Sequence, residues 1–371
     1  MQVGVPKEIK PQESRVGLTP ASVRELTQLG HSVFVERSAG VGINIADTEY
    51  ETAGAVILNS AEEVFEQAEL IIKVKEPRSQ ECLMMREGQT IFTYLHLAAD
   101  SKQTKLLVES GCTAIAYETV GGVAGDLPLL TPMSQVAGRM SIQAGAHCLE
   151  KSQGGSGILL GGVPGVAAAN VVIIGGGVVG INAIRIAIGM EANVTVLEKS
   201  LPRLRYLDAE FGAKLNCIYA TSEVIEHYVA SADLLVGAVL VAGAAAPKLI
   251  SVDLLRKMHP GSVVVDVAID QGGCIATSRP TTHEEPTFIV EHIIHYCVAN
   301  MPGAVPRTST FALNNATLPF IIQLAEQGVS HALLSDDYLL MGLNVHQGKV
   351  THQAVAKDLG YPYVCARDCL V

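Results

Sequence analysis

The sequence is poor in aromatic side chains and contains no tryptophan. Phenylalanine and tyrosine make up 5% of the 371 residues, which argues against the stacking platforms that bind single-stranded nucleic acids. The formal net charge is -11, and a chain of that charge repels polyanions and anionic lipid surfaces. We therefore expect neither nucleic acid nor a membrane among the partners of this protein.

The sequence also lacks a long uninterrupted apolar run, although its mean hydropathy is +0.32. Its most apolar stretch, residues 167–190, is broken by several glycines, Asn182 and Arg185. The first ten residues, MQVGVPKEIK, contain no apolar core of the kind that secretory signals have. We expect a cytoplasmic protein whose apolar residues fill buried parallel sheets and an oligomer interface.

Paired cysteine and histidine motifs are missing as well. The eight cysteines are scattered and none belongs to a CxxC pair, so we expect reduced thiols rather than disulfides. The histidines show no H-x-x-x-H spacing, and no G-x-S-x-G motif is present. The sequence therefore predicts neither a metal site nor a serine hydrolase.

What the sequence does contain is a glycine-rich turn between a strand and a helix. Gly175, Gly177 and Gly180 follow the apolar run 171–174 at G-x-G-x-x-G spacing. Such glycines permit a tight turn, a close approach of a pyrophosphate and close packing of helix on strand. The next strand ends at Glu198, whose carboxylate can bind the ribose hydroxyls and repel a 2′-phosphate. The pattern predicts an NAD site and disfavours NADP.

Strand and helix signals alternate over two long regions of the chain, which indicates parallel sheets covered by helices. The expected fold is α/β, with two Rossmann-like doubly wound domains joined by long helices. We assign residues 1–129 plus 307–371 to a substrate (catalytic) domain and residues 130–306 to an NAD-binding Rossmann domain. A connecting helix is expected from Ser134 to about Lys151, and the last ~40 residues are expected to form short helices.

Four ionisable residues lie just beyond predicted strands, where open α/β sheets bind their ligands. Arg15 and Lys75 could bind a carboxylate, His96 could exchange a proton near neutral pH, and Asp270 could position water or ammonia. Each also has a structural interpretation: a surface arginine, a solvated strand end, a core histidine and a helix cap. Together the four residues suit a small amino or oxo acid as substrate.

The segments around these residues resemble those of the bacterial NAD-dependent alanine dehydrogenases. The shared blocks include VGVPKEIK, KVKEP, FTYLHLAA, LPLLTPMS, GGGVVG, VVDVAIDQGGC and CVANMPGAVP, and they extend over essentially the whole chain. The resemblance implies a reversible, NAD-dependent oxidative deamination of L-alanine to pyruvate and ammonium. It also implies a homo-hexamer.

The resemblance assigns a role to each candidate residue. It implies that His96 and Asp270 are catalytic and that Arg15 and Lys75 bind the substrate. The cofactor contacts that it implies are Ser134, Gly175, Gly177, Val178, Gly180, Glu198, Arg203, Val239, Leu240, Val267, Ala268, Ile269, Asp270, Arg279, Val298, Ala299, Asn300 and Met301.

Two positions depart from the family pattern. Glu198 stands where aspartate is more common, and Ala220 stands where relatives often carry a hydroxyl that Thr221 could replace. Three other functions remain open: an NAD-binding component of the transhydrogenase type, a regulator that binds NAD without catalysis, and an amino acid dehydrogenase of the saccharopine or ornithine type with a pocket of different size.

Overall fold

The computed structural model describes residues 1–123, 125–239 and 246–370. The chain divides into two compact units: unit 1 comprises Met1–Met133 and Val305–Val371, and unit 2 comprises Ser134–Ala304. Unit 2 is thus inserted between two segments of unit 1. None of the described helices is long and apolar enough to cross a membrane.

The first segment of unit 1 alternates strands with helices. Its strands are β1 (Gln2–Val5), β2 (Ser32–Glu36), β3 (Val56–Leu58), β4 (Leu70–Ile72), β5 (Thr90–Thr93) and β6 (Thr113–Ala116). Its helices are α1 (Pro20–Gln28), α2 (Asp47–Thr52), α3 (Ala61–Gln67), α4 (Ser79–Cys82) and α5 (Ser101–Ser110). The start of helix α1 is fixed by its sequence. Oγ1 of Thr19 accepts the N–H of Ser22 as the N-cap, and Pro20 is the first residue of the helix.

Helix α6 (Thr131–Cys148) carries the chain into unit 2. It begins three residues earlier than the sequence predicts, since Pro132 is tolerated in a first helical turn. The strands that follow are β7 (Asn170–Ile174), β8 (Asn193–Glu198), β9 (Asn216–Tyr219), β10 (Leu234–Gly237), β11 (Val263–Asp266), β12 (Thr287–Val290) and β13 (Ile293–Tyr296). The helices between them are α7 (Val178–Gly189), α8 (Leu201–Phe211), α9 (Ser222–Ala230) and α10 (Val252–Leu255).

The C-terminal segment returns to unit 1 and contains both helices and strands. Its elements are α11 (Pro306–Gln327), α12 (Val329–Ser335), α13 (Asp337–Leu340), β14 (Leu343–His346), β15 (Lys349–Val350) and α14 (Gln353–Leu359). The expectation that this tail forms only short helices is wrong. Strand β14 pairs antiparallel with β6, and β15 pairs with β14, so the tail extends one edge of the first sheet.

Both sheets have a doubly wound strand order. The order is β15-β14-β6-β5-β4-β1-β2-β3 in unit 1 and β12-β13-β11-β10-β7-β8-β9 in unit 2. The central strands are parallel, and among the described strands antiparallel pairing is confined to β12 with β13, β14 with β6, and β15 with β14. This confirms the expected fold class. The strand order reverses between β1 and β4 in the first sheet and between β7 and β10 in the second. Open α/β sheets bind their ligands at such points.

The cores lie on both faces of each sheet. In unit 1, Val3, Leu70 and Ile72 belong to one buried cluster, and Ile71 belongs to the cluster on the other face. Burying each such side chain contributes roughly 1.5–3 kcal/mol. Continuous apolar strands are what a parallel sheet covered on both faces requires. All eight cysteines are free, and five of them are buried.

Candidate active site

Arg15 lies in the segment that follows β1 and is 2% exposed. Its Nε donates to Oε1 of Glu13 at 2.7 Å, and its Nη2 donates to Oε2 at 2.5 Å. Burial opposes the positive charge, but the hydrogen bonds and charge of Glu13 outweigh it and raise the pKa of Arg15. The interpretation as a surface arginine is therefore wrong. Arg15 is a buried, permanently charged group in a fixed orientation.

Lys75 follows β4 and is half-buried. Its main-chain N–H lies 3.2 Å from Oε1 of Glu8, and its carbonyl oxygen accepts a hydrogen bond of 3.0 Å from Oγ1 of Thr93. Burial tends to raise the pKa of the neighbouring Glu76, but the charges of Lys75 and Lys10 lower it overall. Lys75 thus brings a second positive charge to the carboxyl end of the first sheet.

Lys73 is a buried cation that the sequence analysis missed. Its Nζ lies 3.0 Å from Oε2 of Glu8 and 2.7 Å from Oε1 of Glu81, and all three side chains are almost fully buried. Burial tends to lower the pKa of Lys73, but the two carboxylates reverse the effect and raise it. A lysine inside an apolar strand run, as in LIIKVK, is the signal that could have revealed this cluster.

His96 follows β5 in a left-handed backbone conformation, with φ 50° and ψ 38°. Its main-chain N–H donates to Oε1 of Glu118 at 2.6 Å, and its Nδ1 lies 3.7 Å from the same oxygen. The imidazole ring is 48% exposed, so the interpretation as a core histidine is wrong. A strained, exposed histidine held by a carboxylate is typical of a functional position.

Tyr94 lies beside His96 and was not among the predicted residues. Its ring is parallel to that of His96, with centroids 6.0 Å apart, and its hydroxyl donates to the carbonyl of Leu129 at 2.5 Å. Burial raises its pKa, and the charge of Arg15 only partly offsets this. Tyr94 therefore stays neutral and forms a wall beside His96.

In unit 2, the glycine turn has the geometry of a phosphate cradle. Gly175 has φ +98°, and a Cβ on Gly180 would lie 1.9 Å from the carbonyl oxygen of Gly175. A Cβ on Gly177, the N-cap residue of helix α7, would meet nothing within 4 Å. Free N–H groups and space at a helix N-terminus suit a pyrophosphate. Val178, the first residue of α7, is 39% exposed.

The acid at the end of β8 is bonded to the same turn. Oε2 of Glu198 accepts the N–H of Gly176 at 2.8 Å, and Oε1 accepts those of Lys199 and Ser200 at 2.7 and 2.8 Å. Arg203 donates from Nε to the carbonyl of Gly176. Glu198 and Arg203 thus lie at the glycine turn, as an adenosine-binding pair would.

Position 220 brings no hydroxyl to this region. Ala220 is buried, and Oγ1 of the neighbouring Thr221 accepts the N–H of Val224 as the cap of α9. The hydroxyl of Thr221 is therefore already engaged in stabilising a helix.

Asp270 lies in the short helical turn Val267–Gln271 that follows β11. Its side chain is exposed and does not cap that turn, which begins after Asp266. Asp266, in contrast, is fully buried and accepts the N–H of Ile275 at 3.1 Å. Asp270 is thus presented at the carboxyl end of the second sheet, whereas Asp266 is structural.

The other cofactor candidates also follow strands of unit 2 or belong to α6. Asn300 has a left-handed backbone with φ 65°, and Nε2 of His283 lies 3.1 Å from its carbonyl oxygen. The guanidinium of Arg279 lies over the ring of Phe288 at 4.4 Å. The remaining candidates are Ser134 in α6, Val239 after β10, Val267, Ala268 and Ile269 after β11, and Val298, Ala299 and Met301 after β13. Leu240 lies outside the described residues.

The structure therefore groups the candidates by unit. Arg15, Lys75 and His96 gather at the carboxyl end of the sheet of unit 1, whereas Asp270 and the described cofactor candidates belong to unit 2. Within the described ranges, no group of three or more His, Cys, Asp or Glu side chains could hold a metal ion.

Comparison with known proteins gives consistent matches over the chain. Residues 4–137 match the model of the alanine dehydrogenase/PNT N-terminal domain, and residues 141–353 match that of the C-terminal domain. The alanine dehydrogenase of Halomonas elongata is 57% identical over 364 residues, which is 98% of each chain. That of Mycolicibacterium smegmatis is 55% identical over 370 residues, with 100% of each chain covered.

Two solved structures resemble the whole chain. An L-alanine dehydrogenase superimposes with a TM-score of 0.95 at 52% identity, covering 97% of this chain and 99% of the other. A transhydrogenase from Sinorhizobium meliloti gives a TM-score of 0.83 at 26% identity, covering 95% and 100%. The similarity is thus markedly higher to the alanine dehydrogenases than to the transhydrogenase.

Proposed function

The chain belongs to the alanine dehydrogenase/PNT family, and on this premise we propose that it is an L-alanine dehydrogenase. The reaction converts L-alanine, NAD⁺ and water reversibly to pyruvate, ammonium, NADH and a proton. The observation that carries this proposal is the set of Arg15, Lys75 and His96 at the carboxyl end of the first sheet. Two cations and an imidazole suit a small acid that carries an amino or oxo group.

The residues of unit 2 fit NAD as the cofactor. The open space at Gly177 and the close packing of Gly180 suit a pyrophosphate at the N-terminus of α7, and Glu198 suits the adenine ribose. When bound, NAD accepts or returns the hydride of the substrate Cα. We assign its binding to Ser134, Gly175, Gly177, Val178, Gly180, Glu198, Arg203, Val239, Leu240, Val267, Ala268, Ile269, Asp270, Arg279, Val298, Ala299, Asn300 and Met301.

The first task of unit 1 is to bind and orient the substrate. The guanidinium of Arg15 binds the carboxylate of alanine or pyruvate, and Glu13 holds that guanidinium in place. Lys75 binds the same carboxylate or the neighbouring oxo group. Fixing the substrate at two points presents one face of Cα for hydride transfer, and such positioning supplies a large part of an enzymatic rate.

The second task is proton transfer, which we assign to His96. As a base, it accepts a proton when the substrate ammonium is neutralised or when water adds to the imine carbon. As an acid, it returns a proton when the carbinolamine releases ammonia. The carboxylate of Glu118 near Nδ1 favours a proton on that nitrogen, which leaves Nε2 for exchange with the substrate. General acid–base help of this kind contributes about 10² to 10⁴ in rate.

Asp270 is the second catalytic residue in this proposal. An exposed carboxylate at the end of a strand can accept hydrogen bonds from the attacking water and from the departing ammonia. It thereby orients the water toward the imine carbon while His96 handles the proton. The substrate domain is then residues 1–129 plus 307–371, and the NAD domain is residues 130–306.

We further propose a cytoplasmic homo-hexamer. Free cysteines throughout the chain suit a reducing compartment. Leu159, Val163 and Val166 are each more than half exposed, as apolar side chains that pack against other subunits would be in an isolated chain. Light scattering should give a mass about six times 39.1 kDa.

The deciding experiment follows the absorbance of NADH with NAD⁺ and a panel of L-amino acids, repeated with NADP⁺. We expect turnover with L-alanine and NAD⁺, and the reverse reaction with pyruvate, ammonium and NADH. Tight NAD binding without turnover on any amino acid would instead indicate a regulator. Hydride exchange between NADH and an NADP⁺ analogue without amino acid turnover would indicate a transhydrogenase component.

A further inference from the structure

Lys75 lies three residues beyond the end of β4, and side chains from two other segments bond its main chain on both sides. Oε1 of Glu8 accepts its N–H at 3.2 Å and that of Val74 at 2.7 Å. Oγ1 of Thr93 donates to its carbonyl oxygen at 3.0 Å. Both peptide groups that flank the Cα of Lys75 are therefore bonded to side chains at the point where the regular strand has ended.

Glu8 is itself held by buried charges. Its second oxygen, Oε2, lies 3.0 Å from Nζ of Lys73, which lies 2.7 Å from Oε1 of Glu81. The three side chains are at most 2% exposed. Since breaking a buried ion pair leaves an uncompensated charge, this cluster resists rearrangement. The acceptor that Glu8 offers to Lys75 is therefore fixed in position.

Thr93 supplies the other bond from a rigid element. It is the last residue of β5 and is fully buried. The same strand end leads to His96, three residues later. One strand end therefore carries His96 and also bonds the carbonyl of Lys75, which fixes the two residues relative to each other within unit 1.

We propose that Glu8 and Thr93 are positioning residues for substrate binding, acting through the main chain of Lys75. They fix the main chain of Lys75 on both sides of its Cα, which restricts the positions that its ammonium group can take when it binds the substrate. This inference rests on the proposed role of Lys75 in the alanine dehydrogenase reaction. A side chain that is already confined before the substrate arrives loses less conformational entropy on binding. Loss of either positioning residue should therefore weaken substrate binding.

The test uses Thr93→Val, which keeps the shape of the side chain and removes the hydroxyl. We expect the KM for L-alanine and for pyruvate to rise about 5- to 10-fold, because binding common to ground and transition states is lost. The KM for NAD and kcat should stay within about twofold. Thr93→Ser, which keeps the hydroxyl, should restore both substrate KM values.

Thr90→Val is the matched control, since Thr90 is a second buried threonine of β5. A merely structural role of Thr93 would make the two valine variants alike, or would raise the KM for NAD as much as that for alanine. Either result would overturn the inference. If the unmodified protein fails to oxidise alanine at all, the proposed function is wrong instead.

Glu8→Met provides a second measurement, because it removes the acceptor oxygens while Lys73 remains paired with Glu81. We expect the same selective rise in substrate KM, about 5-fold or more. An unchanged KM for alanine in a folded Glu8→Met variant would also contradict the inference.

Discussion

The main-chain N–H of His96 donates a hydrogen bond of 2.6 Å to Oε1 of Glu118, and Nδ1 of the same histidine lies 3.7 Å from that oxygen. One carboxylate therefore bonds the backbone of the proposed acid–base residue and also lies near its ring. The backbone bond stabilises a left-handed conformation at φ 50° that residues other than glycine seldom adopt. Glu118 thus fixes the backbone from which the imidazole extends.

We expect Glu118→Gln to lower kcat about 10-fold or more, because a neutral amide binds the main-chain N–H of His96 more weakly than a carboxylate does and holds the histidine less firmly in its left-handed conformation. Glu118→Asp should recover part of the rate. Steady-state kinetics with alanine and NAD⁺ measure both effects. Glu109→Gln is the control, since Glu109 is an exposed acid that pairs with Lys105 on α5. Equal kcat values for Glu118→Gln and Glu109→Gln would contradict the role of Glu118.

A second prediction concerns His96 itself. His96→Asn should lower kcat about 10² to 10⁴-fold, because asparagine cannot exchange a proton yet tolerates the left-handed backbone. Binding of NAD should persist, since the glycine turn lies in unit 2. Turnover assays and calorimetric titration with NAD measure the two properties separately. Turnover by His96→Asn equal to that of the unmodified protein would refute the assignment.

Arg15 gives a prediction for both binding and stability. Arg15→Met leaves the buried carboxylate of Glu13 without its bidentate partner, which typically costs about 3–5 kcal/mol of unfolding free energy. Arg15→Met combined with Glu13→Gln should recover much of that stability, since the buried charge is then removed as well. Neither variant should bind pyruvate normally. Denaturant unfolding and the KM for pyruvate test the two effects, and a stable Arg15→Met variant with unchanged KM would contradict both.

The positions of candidate residues just beyond strands could be predicted from the sequence, but the side-chain contacts that hold these residues in place could not. Arg15, His96 and Asp270 were placed correctly beyond strands because strand and turn signals are local. Glu13, Glu118 and Thr93 were missed, since their roles depend on pairings between distant segments that no local spacing reveals. The β14 strand was missed for the same reason, because it is stabilised by pairing with β6 rather than by its own pattern.

His295 leads to a prediction about pH. It is fully buried, with Nε2 at 2.7 Å from Oγ1 of Thr277, and burial lowers its pKa from the ordinary value of 6.5. Below pH 6.5 the unfolded chain therefore binds a proton that the folded protein does not, so the free energy of unfolding falls as the pH drops through this window.

We expect His295→Gln to reduce this pH dependence in chemical unfolding measured between pH 7.5 and 5.5. His259→Gln, at an exposed histidine, is the control and should leave the dependence as it is. An unchanged slope in a folded His295→Gln variant would show that other groups dominate the acid response.

Glu198 carries the prediction about cofactor choice. Its carboxylate accepts three main-chain N–H groups, from Gly176, Lys199 and Ser200, and in the proposed NAD site it would lie beside the adenine ribose. Glu198→Gln keeps the size of the side chain but removes the negative charge that would repel a ribose 2′-phosphate. We expect the ratio of kcat/KM for NAD⁺ to that for NADP⁺ to fall about 10-fold or more.

The control for this prediction is Glu210→Gln, at an acid on the neighbouring helix α8 that pairs with Arg185. It removes the same charge from unit 2 without touching the glycine turn, so it separates a local effect from a change in net charge. If both variants keep the ratio of kcat/KM for NAD⁺ to that for NADP⁺, the site distinguishes the two cofactors by shape rather than by the charge of Glu198. If only Glu198→Gln changes the ratio, the negative charge of Glu198 is what discriminates against NADP⁺.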